Sequence, residues 1–64
     1  MNFSEALKLM KMGSKVSREA WRGTISFICI DNGEVWIRLP DGKNRLKSTF
    51  KSNDILAEDW WLVT

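Results

Sequence analysis

The dipeptide Asn32-Gly33 constrains this chain more than any other feature. It joins two strand-like runs, "TISFICI" and "VWIRLP". Asn-Gly is the preferred pair for a two-residue type I′ hairpin, because both central residues need positive φ. A loop of fixed length fixes the register. Counting outward, Ile30 faces Val35, Ile28 faces Ile37 and Ser26 faces Leu39 on one side of the sheet. On the other side Cys29 faces Trp36, Phe27 faces Arg38 and Ile25 faces Pro40. A second turn at Asp41-Gly42 leads into "KNRLKSTF" and extends the count. It sets Leu46 opposite Ile37, Arg45 opposite Arg38 and Lys47 opposite Trp36. Pro40 sits at the strand end, where a missing N–H is tolerated.

The flanks supply the rest of the fold. In residues 2–13, "NFSEALKLMKMG", Phe3, Ala6, Leu7 and Met10 fall at i, i+3, i+4 and i+7, one face of an amphipathic helix. Asn2 with Glu5 has capping-box spacing, though Ser4 could cap instead, and Gly13 suits a left-handed stop. "SKVSR" reads as a short strand, "SNDILAEDW" as a helical turn capped by Ser52 or Asn53, and "WWLVT" as a last strand. The expectation is a single α+β domain over residues 1–64, with one N-terminal helix packed on a small antiparallel meander. The hairpin is apolar on both sides, and a lone helix covers only one. The second side is covered by another copy of the chain, making a homo-oligomer (dimer or tetramer), or by the sheet curling into a small barrel.

Length sharpens that point. A chain of 64 residues buries only about 60% of the surface its unfolded form exposes. Cys29 is the only cysteine and there is no histidine, so neither a disulfide nor a tetrahedral zinc site can be built from this chain. A single thiol fits a reducing compartment, and the longest apolar run, "ISFICI", is far too short to span a membrane. No signal peptide is visible, so a soluble, cytoplasmic protein is expected. Ten basic and eight acidic residues give a net charge of +2, too mild to indicate nucleic-acid binding alone.

Four tryptophans in so short a chain ask for an explanation. Trp21 lies between Arg18 and Arg22 in "SREAWRG". It either fills the core or offers a flat surface beside positive charge to something flat and anionic. Arg38 opposite Arg45 is a like-charge pair that costs stability unless an anion sits between them, and arginine suits bidentate contact with phosphate. The candidate ligand-binding set is therefore Trp21, Arg22, Phe27, Trp36, Arg38, Arg45 and Asp54. Asp54 is a possible acceptor for ribose hydroxyls or a cap in "SNDI"; Glu58 reads as solvated and Asp59 as ordering the turn. With no phosphate loop, histidine base or metal-ligand cluster, the chain reads as a binder, not an enzyme, with no cofactor.

Both ends of the chain resemble a known family. "MNFSEALKLMKMGSKVSREAW" is similar to the amino-terminal helix, glycine stop, basic strand and tryptophan of the second Thoeris anti-defence family. "DGK" and "DILAEDWWLV" are similar to its carboxy-terminal signature, in which an aspartate precedes Leu-Ala-x-Asp-Trp. Where the family usually has Gly-Trp-Asn-Gly, this chain has Ala20, Trp21, Arg22 and Gly23, and its middle is shorter. Trp21, Asp54, Asp59 and Trp60 match by position. The resemblance implies a phage protein acting in the host bacterial cytoplasm as a sponge. Such a sponge holds a cyclic ADP-ribose-type or other cyclic nucleotide immune signal, uncleaved, at sites between subunits. Two alternatives remain: an inhibitor that docks its aromatic sheet face on a host defence protein, and a single-stranded nucleic-acid binder.

Overall fold

The computed structural model describes residues 1–64. Helix α1 runs Phe3–Lys11. Asn2, rather than Ser4, caps it: the Glu5 N–H donates to Asn2 Oδ1 at 2.9 Å, and the Asn2 N–H donates to Glu5 Oε1 at 3.0 Å. Two otherwise orphaned donors are satisfied reciprocally. The helix stops where Gly13 takes φ +93°, a left-handed conformation that lets the Ser14 N–H fold back onto the Leu9 carbonyl at 3.0 Å.

The strands are β1 (Lys15–Arg18), β2 (Phe27–Asp31), β3 (Glu34–Arg38), β4 (Arg45–Lys47) and β5 (Trp60–Val63). A single 3-10 turn, Glu19–Trp21, follows β1, and a four-residue helix α2, Ser52–Ile55, precedes β5. One antiparallel sheet has the order β4-β3-β2-β1-β5. The first four strands form the expected meander. The fifth crosses back and adds to the free side of β1, pairing Arg18 with Trp60 and Val16 with Leu62.

Asn32 takes φ +54° and Gly33 φ +76°, as a type I′ loop requires. The pairs Phe27–Arg38, Ile28–Ile37, Cys29–Trp36 and Ile30–Val35 form as counted, and so do Ile37–Leu46, Arg38–Arg45 and Trp36–Lys47. The expected Ser26–Leu39 and Ile25–Pro40 pairs do not. The Ser26 N–H still reaches the Arg38 carbonyl at 2.9 Å, but the Thr24 and Ile25 N–H groups turn back onto the Trp21 carbonyl at 2.9 and 3.0 Å. Leu39 meanwhile donates to Asn44. β4 is three residues long, shorter than "KNRLKSTF" suggested. Lys51, not Ser52 or Asn53, holds the cap position of α2, and its N–H donates to Asp54 Oδ2 at 3.2 Å. The capping side chain thus comes from the helix's third residue.

Strand alternation puts Val16, Arg18, Ile28, Ile37 and Trp60 on one side of the sheet. Helix α1 covers part of that side, and Ala6, Met10, Val16, Ile28 and Trp60 form the buried core. The opposite side carries Phe27, Cys29, Trp36 and Trp61. It has a thin cover of its own. Lys15 Nζ lies 4.8 Å from the Phe27 ring centroid, and the Arg45 guanidinium lies 4.0 Å from that of Trp36. Lys47 adds a second cation near Trp36, at 5.9 Å. Long basic side chains lay apolar stems on the rings and keep their charges in water. No helix is long and apolar enough to cross a membrane.

Gly33 isolates the energetic value of the hairpin turn. A Cβ built there meets nothing within 4 Å, so only the left-handed backbone opposes a side chain. Gly33→Ala should cost about 1–2 kcal/mol, lowering Tm by roughly 4–8 °C per kcal/mol in a domain this small. An unchanged Tm by calorimetry would show that the loop does not hold this conformation.

Candidate ligand-binding site

Where α1 leaves it uncovered, this side of the sheet opens into a cleft of about 460 Å³. That is within the range of small-molecule sites, about 300–1,000 Å³. Ile28 and Ile37 of the sheet supply apolar surface, with Trp21 and Phe50 as its aromatic residues and Arg18, Lys51, Asn53 and Asp54 among its polar ones. A smaller hollow beside Glu34 and Lys47, about 390 Å³, has no aromatic wall.

Trp60 holds the aromatic residues in place. It is 2% exposed, and its indole N–H donates to the Asp54 carbonyl at 2.9 Å. Trp21 packs edge-on against it, with centroids 5.1 Å apart and planes at 81°. Phe3 and Phe50 lie 5.6 and 6.1 Å from the same ring and 4.8 Å from each other. The edge-to-face pairs among these, Trp21–Trp60, Phe50–Trp60 and Phe3–Phe50, add about 0.5–1.5 kcal/mol each beyond burial. Half-buried Trp21 therefore has one side fixed by the core while the cleft opens beside it.

The polar wall rests on Arg18. Its Nη1 donates to Asp54 Oδ1 at 2.7 Å and its Nε to Asp59 Oδ1 at 2.8 Å, with Nη2 to Asp59 Oδ2 at 3.4 Å. Asp59 also accepts the Ala20 N–H at 3.2 Å. One guanidinium thus ties β1 to α2 and to the turn before β5. The hydrogen bond from Arg18, and secondarily that from Ala20, holds the Asp59 carboxyl below the usual carboxylate range despite partial desolvation. The Asp59 bond likewise raises Arg18 further above its ordinary value, with Asp54 adding to it. The Asp54 side-chain oxygens hold Arg18 and the Lys51 N–H.

The sequence-predicted residues divide between two faces. Trp21 and Asp54 line the cleft. Phe27, Trp36, Arg38 and Arg45 lie on the opposite side of the sheet. Those four can join the cleft only from another copy of the chain. Arg22 does not flank Trp21 as its neighbour in sequence suggested. It pairs with Glu19 at 2.6 Å and stands 5.8 Å from the Trp61 ring. Only the Arg18 guanidinium accompanies Trp21, 5.9 Å from its centroid. The Arg38–Arg45 juxtaposition is real, yet each finds its own acceptor: Arg45 reaches Asp31 at 3.1 Å across Trp36, and Arg38 reaches the Lys43 carbonyl at 3.5 Å. Like-charge repulsion is relieved there within the chain.

Sequence reasoning left out Arg18, Phe50, Lys51 and Asn53 as site residues. Arg18 alternates onto the covered face with Val16, a usable signal for a buried charge awaiting carboxylates. The other three lie between β4 and β5 or in α2, where no strand or helix period indicates a direction.

Comparison with known proteins adds one finding. The family described as the Thoeris anti-defense 2-like domain matches residues 1–63. No curated protein sequence matches the chain.

The Arg18 clamp makes acid stability depend on Asp59. A lowered carboxyl pKa stabilises the fold above its unfolded value, about 3.9, and that stability is lost as pH falls through the lower folded value. Tm should therefore be flat near neutrality and fall steeply below about pH 4. Asp59→Asn should lower Tm at pH 7 and flatten that acid limb. Identical acid limbs for the two proteins would remove Arg18–Asp59 as the cause.

Proposed function

The chain belongs to the Thoeris anti-defense 2-like family, and from that membership we propose that it is a phage protein that silences a Thoeris-type bacterial defence by sequestration. It binds a cyclic ADP-ribose-type signal, or a related cyclic nucleotide, in the host cytoplasm and holds it uncleaved, so that the effector is never activated. One observation supports this reading above the others: the cleft combines an aromatic wall fixed on Trp60 with a polar wall fixed on Arg18. A purine ring and the polar groups that it and its ribose carry suit such a pair of surfaces.

Sequestration sets an energetic requirement. A scarce signal demands a nanomolar Kd, about −12 kcal/mol. Stacking one base on a tryptophan contributes about 1–3 kcal/mol, and a charge-assisted hydrogen bond about 1.5–3 kcal/mol. An open cleft in one chain falls short of the total after ordering costs. A second copy closing the cleft would exclude water and strengthen each contact. Exposed Trp61 and Leu62 on edge strand β5, 39% and 40% accessible, support such a homo-oligomer.

The clamped state of Asp59 supports a reading of binding without chemistry. Asp54 and Asp59 are tied to Arg18, and Asp59 stays ionised well into acid. A carboxylate held in that way is a poor proton carrier near neutral pH. The cleft's hydroxyls, Ser48 and Thr49, have no histidine to activate them.

The test is capture and release. The protein is incubated with cyclic ADP-ribose, free ligand is removed, and the complex is heat-denatured. Intact cyclic ADP-ribose returning to solution is the expected outcome; a hydrolysed product would make the protein an enzyme. Native mass spectrometry with a panel of cyclic nucleotides reports copy number and bound mass together, and a monomer that takes none refutes the reading. Trp21→Ala should abolish capture. Trp21→Phe retains the edge-on packing against Trp60 and should bind more weakly while keeping most of the Tm, which separates stacking from core packing.

A further inference from the structure

We propose that Lys51 is the phosphate-contacting and specificity-determining residue of the cleft, and that the ligand enters base first with its phosphates left at the rim. This rests on the sequestration reading and goes beyond it by assigning the two ends of the site.

The charges that line the cleft are unequally paired. Two cations line the cleft, Arg18 and Lys51. Arg18 faces two carboxylates at 2.7 and 2.8 Å, so the clamp bears one net negative charge. A phosphate brought against that wall meets Asp54 as well as Arg18. It would have to displace a carboxylate from a side chain only 12% exposed, leaving a largely buried charge unpaired. The inner wall is therefore unsuited to an anion. It suits a neutral ring, which Trp21, Phe50, Ile28 and Ile37 can enclose and whose exocyclic amine Asp54 can accept.

Lys51 is in the opposite situation. No carboxylate lies within ion-pairing distance of its ammonium, whereas Lys47 holds Glu34 at 3.0 Å and Arg22 holds Glu19 at 2.6 Å. It is exposed, at the cap position of α2, directly before Ser52 and Asn53. Its backbone N–H is already engaged by Asp54 Oδ2. The side chain thus contributes nothing visible to the fold, and its charge is free for a ligand. Asn53 lines the cleft beside it and offers neutral donors for the same phosphate oxygens.

The experiment uses the intact protein, with cyclic ADP-ribose, adenosine and inorganic pyrophosphate as probes, read by calorimetry at low and high salt. Wild-type protein should bind cyclic ADP-ribose with an affinity that falls with salt, and adenosine more weakly with little salt dependence. Lys51→Glu should weaken cyclic ADP-ribose about tenfold or more and leave adenosine unchanged. Lys51→Arg should restore the affinity and the salt dependence. Tm should be the same in all three proteins, since the backbone N–H remains. Undiminished cyclic ADP-ribose binding by Lys51→Glu would overturn this assignment and leave sequestration standing. Pyrophosphate binding tighter than adenosine would overturn the base-first orientation. A wild-type protein that binds none of the three, and none of the wider panel of cyclic nucleotides, would overturn the sequestration reading itself.

Discussion

The structure depends on what two side chains, Arg18 and Trp60, do together at the junction of β1 and β5. They are directly paired in the sheet, on the face that α1 and the cleft share. Trp60 donates its indole N–H to the Asp54 carbonyl while Arg18 takes the Asp54 carboxylate. Helix α2 is four residues long and could not persist alone, since its nucleus costs more than so few bonds return. It exists because a backbone carbonyl and a side-chain carboxylate of one residue are both anchored to that strand pair. Met1 is drawn into the same junction, its nitrogen donating to the Trp60 carbonyl at 2.8 Å while its carbonyl accepts the Trp60 N–H at 3.1 Å.

That junction also sorts the two faces of the sheet. On the covered face, apolar side chains meet α1 and one largely buried guanidinium is clamped by two carboxylates, leaving one negative charge in excess. On the opposite face, aromatic rings are shielded by cations that remain largely solvated, with Asp31 and Glu34 balancing Arg45 and Lys47. Exposed pairs of this kind contribute little stability each, typically 0–1 kcal/mol. They keep an aromatic surface wetted without a core behind it. The two faces therefore differ in what removal of a cation does: losing Arg18 leaves buried Asp54 and half-buried Asp59 without their cation, whereas losing Arg45 uncovers an indole.

The parts of the fold legible in the sequence are those set by short-range rules. Asn32-Gly33 dictated the loop, the loop dictated the register, and every pair from Phe27–Arg38 inward followed, through the second turn to Trp36–Lys47. The capping box at Asn2 and the stop at Gly13 were legible for the same reason. The cleft was not. Apart from Ile28 and Ile37 of the sheet, its walls come from Arg18 to Ile25 and from Ser48 to Asp54, stretches whose direction is set by contacts 36 and 41 positions away, Arg18 to Asp54 and to Asp59. The hairpin arithmetic also misled where it was extended into ligand chemistry. It placed Arg38 beside Arg45 correctly, but it could not show that Asp31 lies within reach of Arg45 over Trp36. Long side chains choose among several acceptors, and register alone does not decide between them. Trp21 was legible as unusual and not as oriented, because its angle is set by Trp60, which lies on the last strand.

One consequence joins stability to binding. Among the residues that line the cleft, Trp21 and Phe50 pack on the core residue Trp60, Asp54 accepts the Trp60 indole N–H through its backbone carbonyl, and Arg18 holds the Asp54 carboxylate. The small domain has no spare elements with which to build a site separate from its core. A site built in this way is held rigid by the folding free energy, so little further ordering is required when a ligand arrives. The same coupling limits how the site can change. An alteration at Trp21 or Arg18 acts on the fold as well as on the ligand, whereas Lys51 and Asn53 touch the cleft from outside the aromatic cluster and the clamp. Variation in what such a cleft accepts can therefore be accommodated at its rim, with the inner wall constrained by the requirement that 64 residues fold at all.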